Sequence, residues 1–246
     1  MDAPGPVALV GSGEFLPGMR DVDAELLEGR PRRAVVLPTA AAREGDGRVA
    51  YWLDLAHQHF EALGVETVGL DVRTRTDASD PDTAARVAGA GLVYLSGGDP
   101  HHLAATLHAT VLWRAIEEVW ERGAAVGGCS AGAMALTSGA PPDLFAAGGT
   151  RVTPTAVSSG LGLVPGVAVM PHFDRIHRWR PDAVEHFRAW LPEGATLVGI
   201  DEDTALLHAG HRWWVRGAAS VRVFDATAPT SGPVSFRAGD DVPLGS

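Results

Sequence analysis

The chain contains no lysine: all 20 of its basic residues are arginine. A lysine Schiff base and a lysine-bearing phosphate loop are thereby excluded. Cysteine occurs once, at Cys129, so no intrachain disulfide can form. A single thiol fits a reducing compartment without demanding one. No apolar run approaches the roughly 18 residues that a membrane helix needs. The opening "MDAPGPVALVGSGEF" has no basic n-region and reads as a first strand rather than a signal peptide. Acidic residues number 30 against those 20 arginines, a net charge of −10, which disfavours tracking a phosphate backbone. The expectation is a cytoplasmic protein without nucleic-acid or membrane partners.

What is present is ordinary for an ordered globular chain: 246 residues, 46% hydrophobic and 20% charged. Short apolar runs alternate with longer helical ones. Strands are expected at 6–13, 33–40, 65–72, 91–98 and 124–130, then at 166–173, 195–202, 204–210, 212–217 and 220–225. Helices are expected over 47–64, 99–123 and 131–138. In the second of these, Asp99 suits an N-cap and Pro100 the first helical position. Strands separated by crossover helices imply a mostly parallel sheet covered on both faces. The expected fold is therefore a three-layer α/β/α sandwich, closed by antiparallel hairpin strands near the C-terminus. No linker, repeat or low-complexity tract interrupts it, so residues 1–246 read as one domain whose tail after about 226 is least patterned.

The segment "GGCSAGA" (127–133) stands between a strand and an alanine-rich helix. Gly128, Ser130 and Gly132 fit G-x-S-x-G, the pattern of a nucleophile elbow. Small neighbours let strand and helix pass closely, while the strained bend exposes the serine hydroxyl at a strand's carboxyl end. Cys129 is the rival nucleophile, but the glycine spacing centres on Ser130 and leaves the thiol as a small buried group.

A serine hydroxyl needs a base. Among ten histidines, His57 and His59 are two apart on a helix, His101 and His102 lie in a first helical turn, and His208 and His211 flank a hairpin. His172, in "GVAVMPHFDR", follows an apolar strand and is expected at the same sheet edge as Ser130. The orienting acid is one of Asp143, Asp174, Asp201, Glu202 and Asp203, and three of these interrupt the strand-like "LVGIDEDTALL". In "YLSGGDP", Gly97 and Gly98 end a strand where backbone amides can face an oxyanion.

Taken together, "GSGEF" (11–15), "LPTAA" (37–41), "LSGGDPHHL" (95–103), "GGCSAGA" (127–133), "PHFDR" (171–175) and "GIDEDTAL" (199–206) resemble peptidase family S51. That group contains aspartyl dipeptidases and cyanophycinases, and its fold is similar to that of class I glutamine amidotransferases. The resemblance implies Ser130 as nucleophile and His172 as base, with Glu202 the first choice of acid and Asp143 the second. It implies oxyanion amides at Gly98 and Ala131. It also implies substrates with aspartyl side chains or linkages, whose carboxylate needs a cation. Arg175 and Arg178 follow His172 and are read in that role. Asp99, where the dipeptidases carry the asparagine of "GGNT", is read as facing substrate. The arginine spacing in "HFDRIHRWR" departs from that of cyanophycinases, so neither named substrate is assigned.

The leading expectation is a serine hydrolase of peptide or isopeptide bonds that needs no metal or cofactor. A non-catalytic binding protein on the same scaffold would keep the elbow but lack a competent base. An α/β-hydrolase-type esterase would require the order Ser, acid, His. A dinucleotide-binding reading fails at Leu16, which occupies the third glycine position. Trp213 and Trp214, on a closing hairpin, are candidates either for a homodimer surface or for the core.

Overall fold

The structure, a computed structural model, describes residues 3–142, 159–224 and 232–245. Five parallel strands come first: β1 (Val7–Val10), β2 (Arg33–Leu37), β3 (Glu66–Gly69), β4 (Leu92–Leu95) and β5 (Ala125–Cys129). Two antiparallel strands, β8 (Thr204–Ala209) and β9 (Arg212–Gly217), extend this sheet beside β1, giving the order β3-β2-β4-β5-β1-β8-β9. Strands β6 (Val167–Met170), β7 (Thr196–Ile200), β10 (Ser220–Phe224) and β11 (Val234–Arg237) form a second sheet, ordered β11-β10-β7-β6.

Strands β1, β4 and β5 are buried at every position, as expected where both faces of a parallel sheet are covered. On β1, Val7 and Leu9 join one buried cluster while Ala8 and Val10 join another on the opposite face. The second cluster lies beneath α1 (Arg20–Leu26) and α2 (Asp46–Ala62), through Val22, Leu26, Ala56 and Phe60. The first takes in α6 (Val111–Glu121) through Leu112, Trp113, Ile116 and Val119, a helical spacing, and continues into the second sheet through Val169 and Val198. Fully burying one such side chain is worth about 1.5–3 kcal/mol, so a core shared by both sheets ties them together. Between β3 and β4 the chain makes two short helices, α3 (Arg75–Ala78) and α4 (Pro81–Ala85).

Three sequence expectations change here. The run 99–123 is two helices, α5 (Pro100–Leu107) and α6, because Ala109 takes φ 56° and Thr110 restarts the helix. The Thr110 hydroxyl accepts from Trp113 N–H and donates to Leu107 O, so one side chain closes one helix and opens the next. The runs "RWWVRG" and "SVRVFD" do not pair with each other: β9 joins β8, whereas β10 joins β7 in the other sheet. The tail contributes β11, paired antiparallel to β10. Trp213 and Trp214 are both buried within the chain, at 3% and 8% exposure, so the pair presents no dimer surface. Among the described residues, no helix is long and apolar enough to cross a membrane.

Candidate active site

Ser130 lies between β5 and α7 (Ala131–Leu136) with φ 50° and ψ −107°, a conformation that L-residues rarely adopt. The glycines explain how the bend closes. A Cβ on Gly132 would lie 2.2 Å from Leu95 O, and one on Gly128 would lie 2.6 Å from the Gly132 carbonyl carbon. Helix, β4 and β5 therefore approach at distances that only glycine permits. Of the five non-glycine residues with positive φ among the described residues, Ser130 and His172 belong to this site, while Phe15 and Asp203 adjoin its Glu14 and Glu202. Such strain, about 1–3 kcal/mol per residue, concentrates where surrounding structure holds a functional geometry.

His172 Nε2 lies 3.1 Å from Ser130 Oγ, and its Nδ1 lies 2.8 Å from Glu202 Oε1. The three side chains thus form one hydrogen-bonded line. His172 does not share the sheet edge of Ser130, as its place after an apolar strand had suggested. It follows β6 of the second sheet and reaches the first through its N–H to Gly11 O at the end of β1, 3.3 Å. Glu202 sits in the turn between β7 and β8, where the chain passes from one sheet to the other. The site is therefore assembled across a two-sheet junction.

Asp174 and Asp201 have other partners. Asp174 Oδ1 accepts the Glu202 N–H at 3.0 Å, and the buried Asp201 accepts the Ser220 N–H and pairs with Arg222. Asp143 lies outside the described residues. Arg175 Nε lies 2.9 Å from Glu202 Oε2 and 3.4 Å from Asp174. Its charge is thus spent on the acid behind the histidine. Arg178 is exposed one turn further on. Asp99 caps α5 through the N–H groups of His101 and His102, and its other oxygen pairs with Arg43 at 3.0 Å. None of Asp99, Arg175 and Arg178 lines the cavity at Ser130.

Two backbone donors stand beside the serine, one on the residue that follows it and one on Gly98, which lines the same cavity. Ala131 N–H opens α7 and has no intrahelical acceptor. Gly98 lies between Gly97, whose N–H donates to Glu14 Oε1 at 2.9 Å, and Asp99, whose N–H donates to Ala40 O at 2.8 Å. The Gly98 N–H itself has no acceptor among the described residues. With φ 140° and Ala40 backbone 2.4 Å from any added Cβ, this position accepts glycine alone.

Sequence reasoning missed Glu14, which is buried at 3% exposure. Its second oxygen accepts a hydrogen bond from Cys129 Sγ, 2.7 Å away. Burial, reinforced by the Glu14 charge, pushes the Cys129 thiol well above its ordinary pKa, so it stays protonated and non-nucleophilic. Also missed were Arg48, Glu44 and Trp52, which reach the site from α2 and the 3₁₀ turn before it. Their helical spacing reads as a solvated face, and nothing local in the sequence aims them at a strand end. With Ser130, His172 and Gly98 they enclose about 200 Å³. A second depression of about 440 Å³, at the opposite ends of β4 and β5, is lined by Glu28, Arg30, Arg122 and backbone, with no nucleophile and base together. Among the described residues, no cluster of His, Cys, Asp and Glu side chains is arranged to hold a metal.

A serine on a strained strand-to-helix bend, at the carboxyl end of a parallel sheet and facing an imidazole, defines a class: the α/β proteins built on the elbow of serine hydrolases. The sequence matches the model of peptidase family S51 over residues 8–215, and the chain belongs to that family. The crystal structure of a peptidase from an acI-B1 Actinobacterium is 36% identical and superposes with a TM-score of 0.86, covering 98% of this chain and 97% of that one. A cyanophycinase from Synechococcus elongatus is 35% identical over 202 residues, 77% of this chain and 58% of the relative. One from Trichormus variabilis is 32% identical over 178 residues, 70% of this chain and 57% of the relative. The chain thus spans under three fifths of the length of these curated relatives. A solved structure from Listeria monocytogenes EGD-e, 17% identical with a TM-score of 0.63, shares the fold alone.

Proposed function

We propose that the chain is a serine hydrolase that cleaves a peptide or isopeptide bond in an aspartyl-containing peptide. The observation that carries this reading is the unbroken hydrogen-bonded line Ser130–His172–Glu202. Ser130 Oγ attacks the scissile carbonyl carbon while His172 Nε2 takes its proton. The tetrahedral oxyanion is received by the N–H groups of Gly98 and Ala131. His172 returns the proton to the leaving amine as the C–N bond breaks, leaving an acyl ester on Ser130. Water then attacks that ester, its proton passes to His172, and Ser130 leaves with a proton restored from the imidazolium. Glu202 holds Nδ1–H and stabilises the charged imidazole without itself becoming protonated.

The order Ser130, His172, Glu202 along the chain differs from the Ser, acid, His order of α/β-hydrolase esterases, which favours the peptidase reading. The hydrogen-bond distance between Ser130 and His172 favours it over a non-catalytic binding protein. The aspartyl preference is supported by the similarity to cyanophycinases and by Arg48, which lines the Ser130 cavity.

A panel of α- and β-aspartyl dipeptides beside simple esters tests the reading. Ser130→Ala is expected to abolish turnover while leaving the thermal unfolding transition in place. A fluorophosphonate probe is expected to label Ser130 in the native chain. Full activity in Ser130→Ala, or no labelling of Ser130, refutes the proposal.

A further inference from the structure

Neither Arg175 nor Arg178 lines the cavity that holds Ser130, but Arg48 does. It lies in the first turn of α2, and its guanidinium carbon stands 5.0 Å from the Trp52 ring centre and 5.1 Å from that of Tyr51. Two aromatic faces on the same helix therefore hold the planar group in place. Its Nε faces Glu44 Oε2 at 3.2 Å, an exposed i,i+4 pair of the kind worth little in water. Apart from that ion pair, the guanidinium donates no hydrogen bond to any described residue. That leaves a planar fork, the shape that matches a carboxylate, with no hydrogen-bonded acceptor among the described residues. Trp52 closes the wall beneath it.

We infer that Arg48 is the specificity-determining residue of this site, receiving the carboxylate of an acidic substrate side chain at the mouth of the Ser130 cavity. The inference rests on the hydrolase reading for its setting and goes beyond it by naming the recognition group. It also gives Glu44 a role: a carboxylate of the chain competes for the same guanidinium, so an acidic ligand binds against it. Neutral side chains gain nothing from the fork, and the discrimination is between a carboxylate and its amide. Arg175, by contrast, is already engaged with Glu202 and Asp174.

Two small probes that differ only in this group provide the test: N-acetyl-aspartic acid α-amide and N-acetyl-asparagine α-amide, titrated by NMR against the full chain near neutral pH. The acid is expected to bind more tightly to the native chain. Arg48→Gln is expected to weaken the acid about tenfold, the lower end for charge-assisted bonds because the side chain is half-exposed. Arg48→Lys keeps the charge but loses the fork and is expected to fall between. Glu44→Gln is expected to tighten the acid about two- to fivefold. Affinity for the amide is expected to change less than twofold throughout. The opposite signs at neighbouring positions separate recognition from a structural effect, which would move both ligands together. Equal binding of the two probes by the native chain, or unchanged acid binding by Arg48→Gln, overturns the inference. Fluorophosphonate labelling of Ser130, run on the same samples, reports separately on the hydrolase. Labelling without acid preference sinks Arg48 alone, and acid preference without labelling sinks the hydrolase.

Discussion

Replacing Glu202 by glutamine changes one oxygen to an amide nitrogen and nothing in shape, yet the structure assigns it a large effect. Glu202 presents Oε1 to His172 Nδ1 at 2.8 Å and Oε2 to Arg175 Nε at 2.9 Å. Both neighbours can donate, and a carboxylate accepts from both. A glutamine has one acceptor. Arg175 cannot accept, so it claims the amide oxygen and turns the NH₂ toward His172 Nδ1. The imidazole must then accept at Nδ1 and carry its proton on Nε2, where it faces Ser130 Oγ and can no longer take the hydroxyl proton. In a serine protease triad the equivalent carboxylate-to-amide change costs about 10⁴ in kcat through this wrong tautomer. For Glu202→Gln we expect a loss of about 10³–10⁴ in kcat/KM, or about 4–5.5 kcal/mol of transition-state stabilisation. The distinctive part is the second variant. Adding Arg175→Ala removes the group that orients the amide, so the oxygen can turn to Nδ1–H and the working tautomer returns. The double variant is expected to be about tenfold more active than Glu202→Gln alone, although Arg175→Ala by itself lowers activity by removing a neighbour of the acid. The assay is initial-rate hydrolysis of the best aspartyl peptide, with fluorophosphonate labelling rates as an independent measure. More than a tenth of native activity in Glu202→Gln, or a double variant no better than the single, refutes the tautomer argument.

Cys129→Ser keeps a donor to Glu14 and is expected to label at Ser130 within about twofold of the native rate, while the native thiol resists a disulfide reagent until the chain is unfolded. Rapid thiol reaction in the folded state would contradict the buried assignment. Gly132→Ala places a Cβ 2.2 Å from Leu95 O, a backbone atom that cannot step aside, so a destabilisation of at least about 2 kcal/mol and slower Ser130 labelling are expected from denaturant titration and probe kinetics. Asp77 accepts backbone N–H bonds from Arg73 and Thr74 in the capping box of α3, which holds its carboxyl below the usual range. A depressed carboxylate pKa stabilises the fold above the unfolded value near 3.9 and loses that contribution as pH falls through the folded value. Asp77→Asn should therefore lower the melting temperature by about 1–2 °C at pH 7, a gap that closes on acidification toward pH 2–3. A gap that widens in acid would show that the sign is wrong.

The parts of this molecule that the sequence made legible are those whose physics is local. Gly128, Ser130 and Gly132 announce a bend because small residues at that spacing are what a strand-to-helix crossing demands, and Asp99-Pro100 announces a helix start. The split of 99–123 was harder to read, since Ala109 has no special local signal and the break depends on one hydroxyl at Thr110. Long-range placement was not legible. An apolar strand before His172 says nothing about which sheet it joins, and Arg48 on an exposed helix face does not declare that the face overlooks Ser130. Glu14 shows why the separate blocks nevertheless belong together. A buried carboxylate is costly unless its oxygens are satisfied, and its two donors, Gly97 N–H and Cys129 Sγ–H, come from the ends of β4 and β5 while Glu14 itself follows β1. The blocks "GSGEF", "LSGGDP" and "GGCSAGA", each ambiguous alone, are thus three ends of one hydrogen-bonded clamp. By fixing Gly97, Glu14 sets where the Gly98 N–H points, and by holding Cys129 it fixes the residue before the strained serine. The neighbour that first competed with Ser130 for the role of nucleophile is one of the groups that holds Ser130 in place.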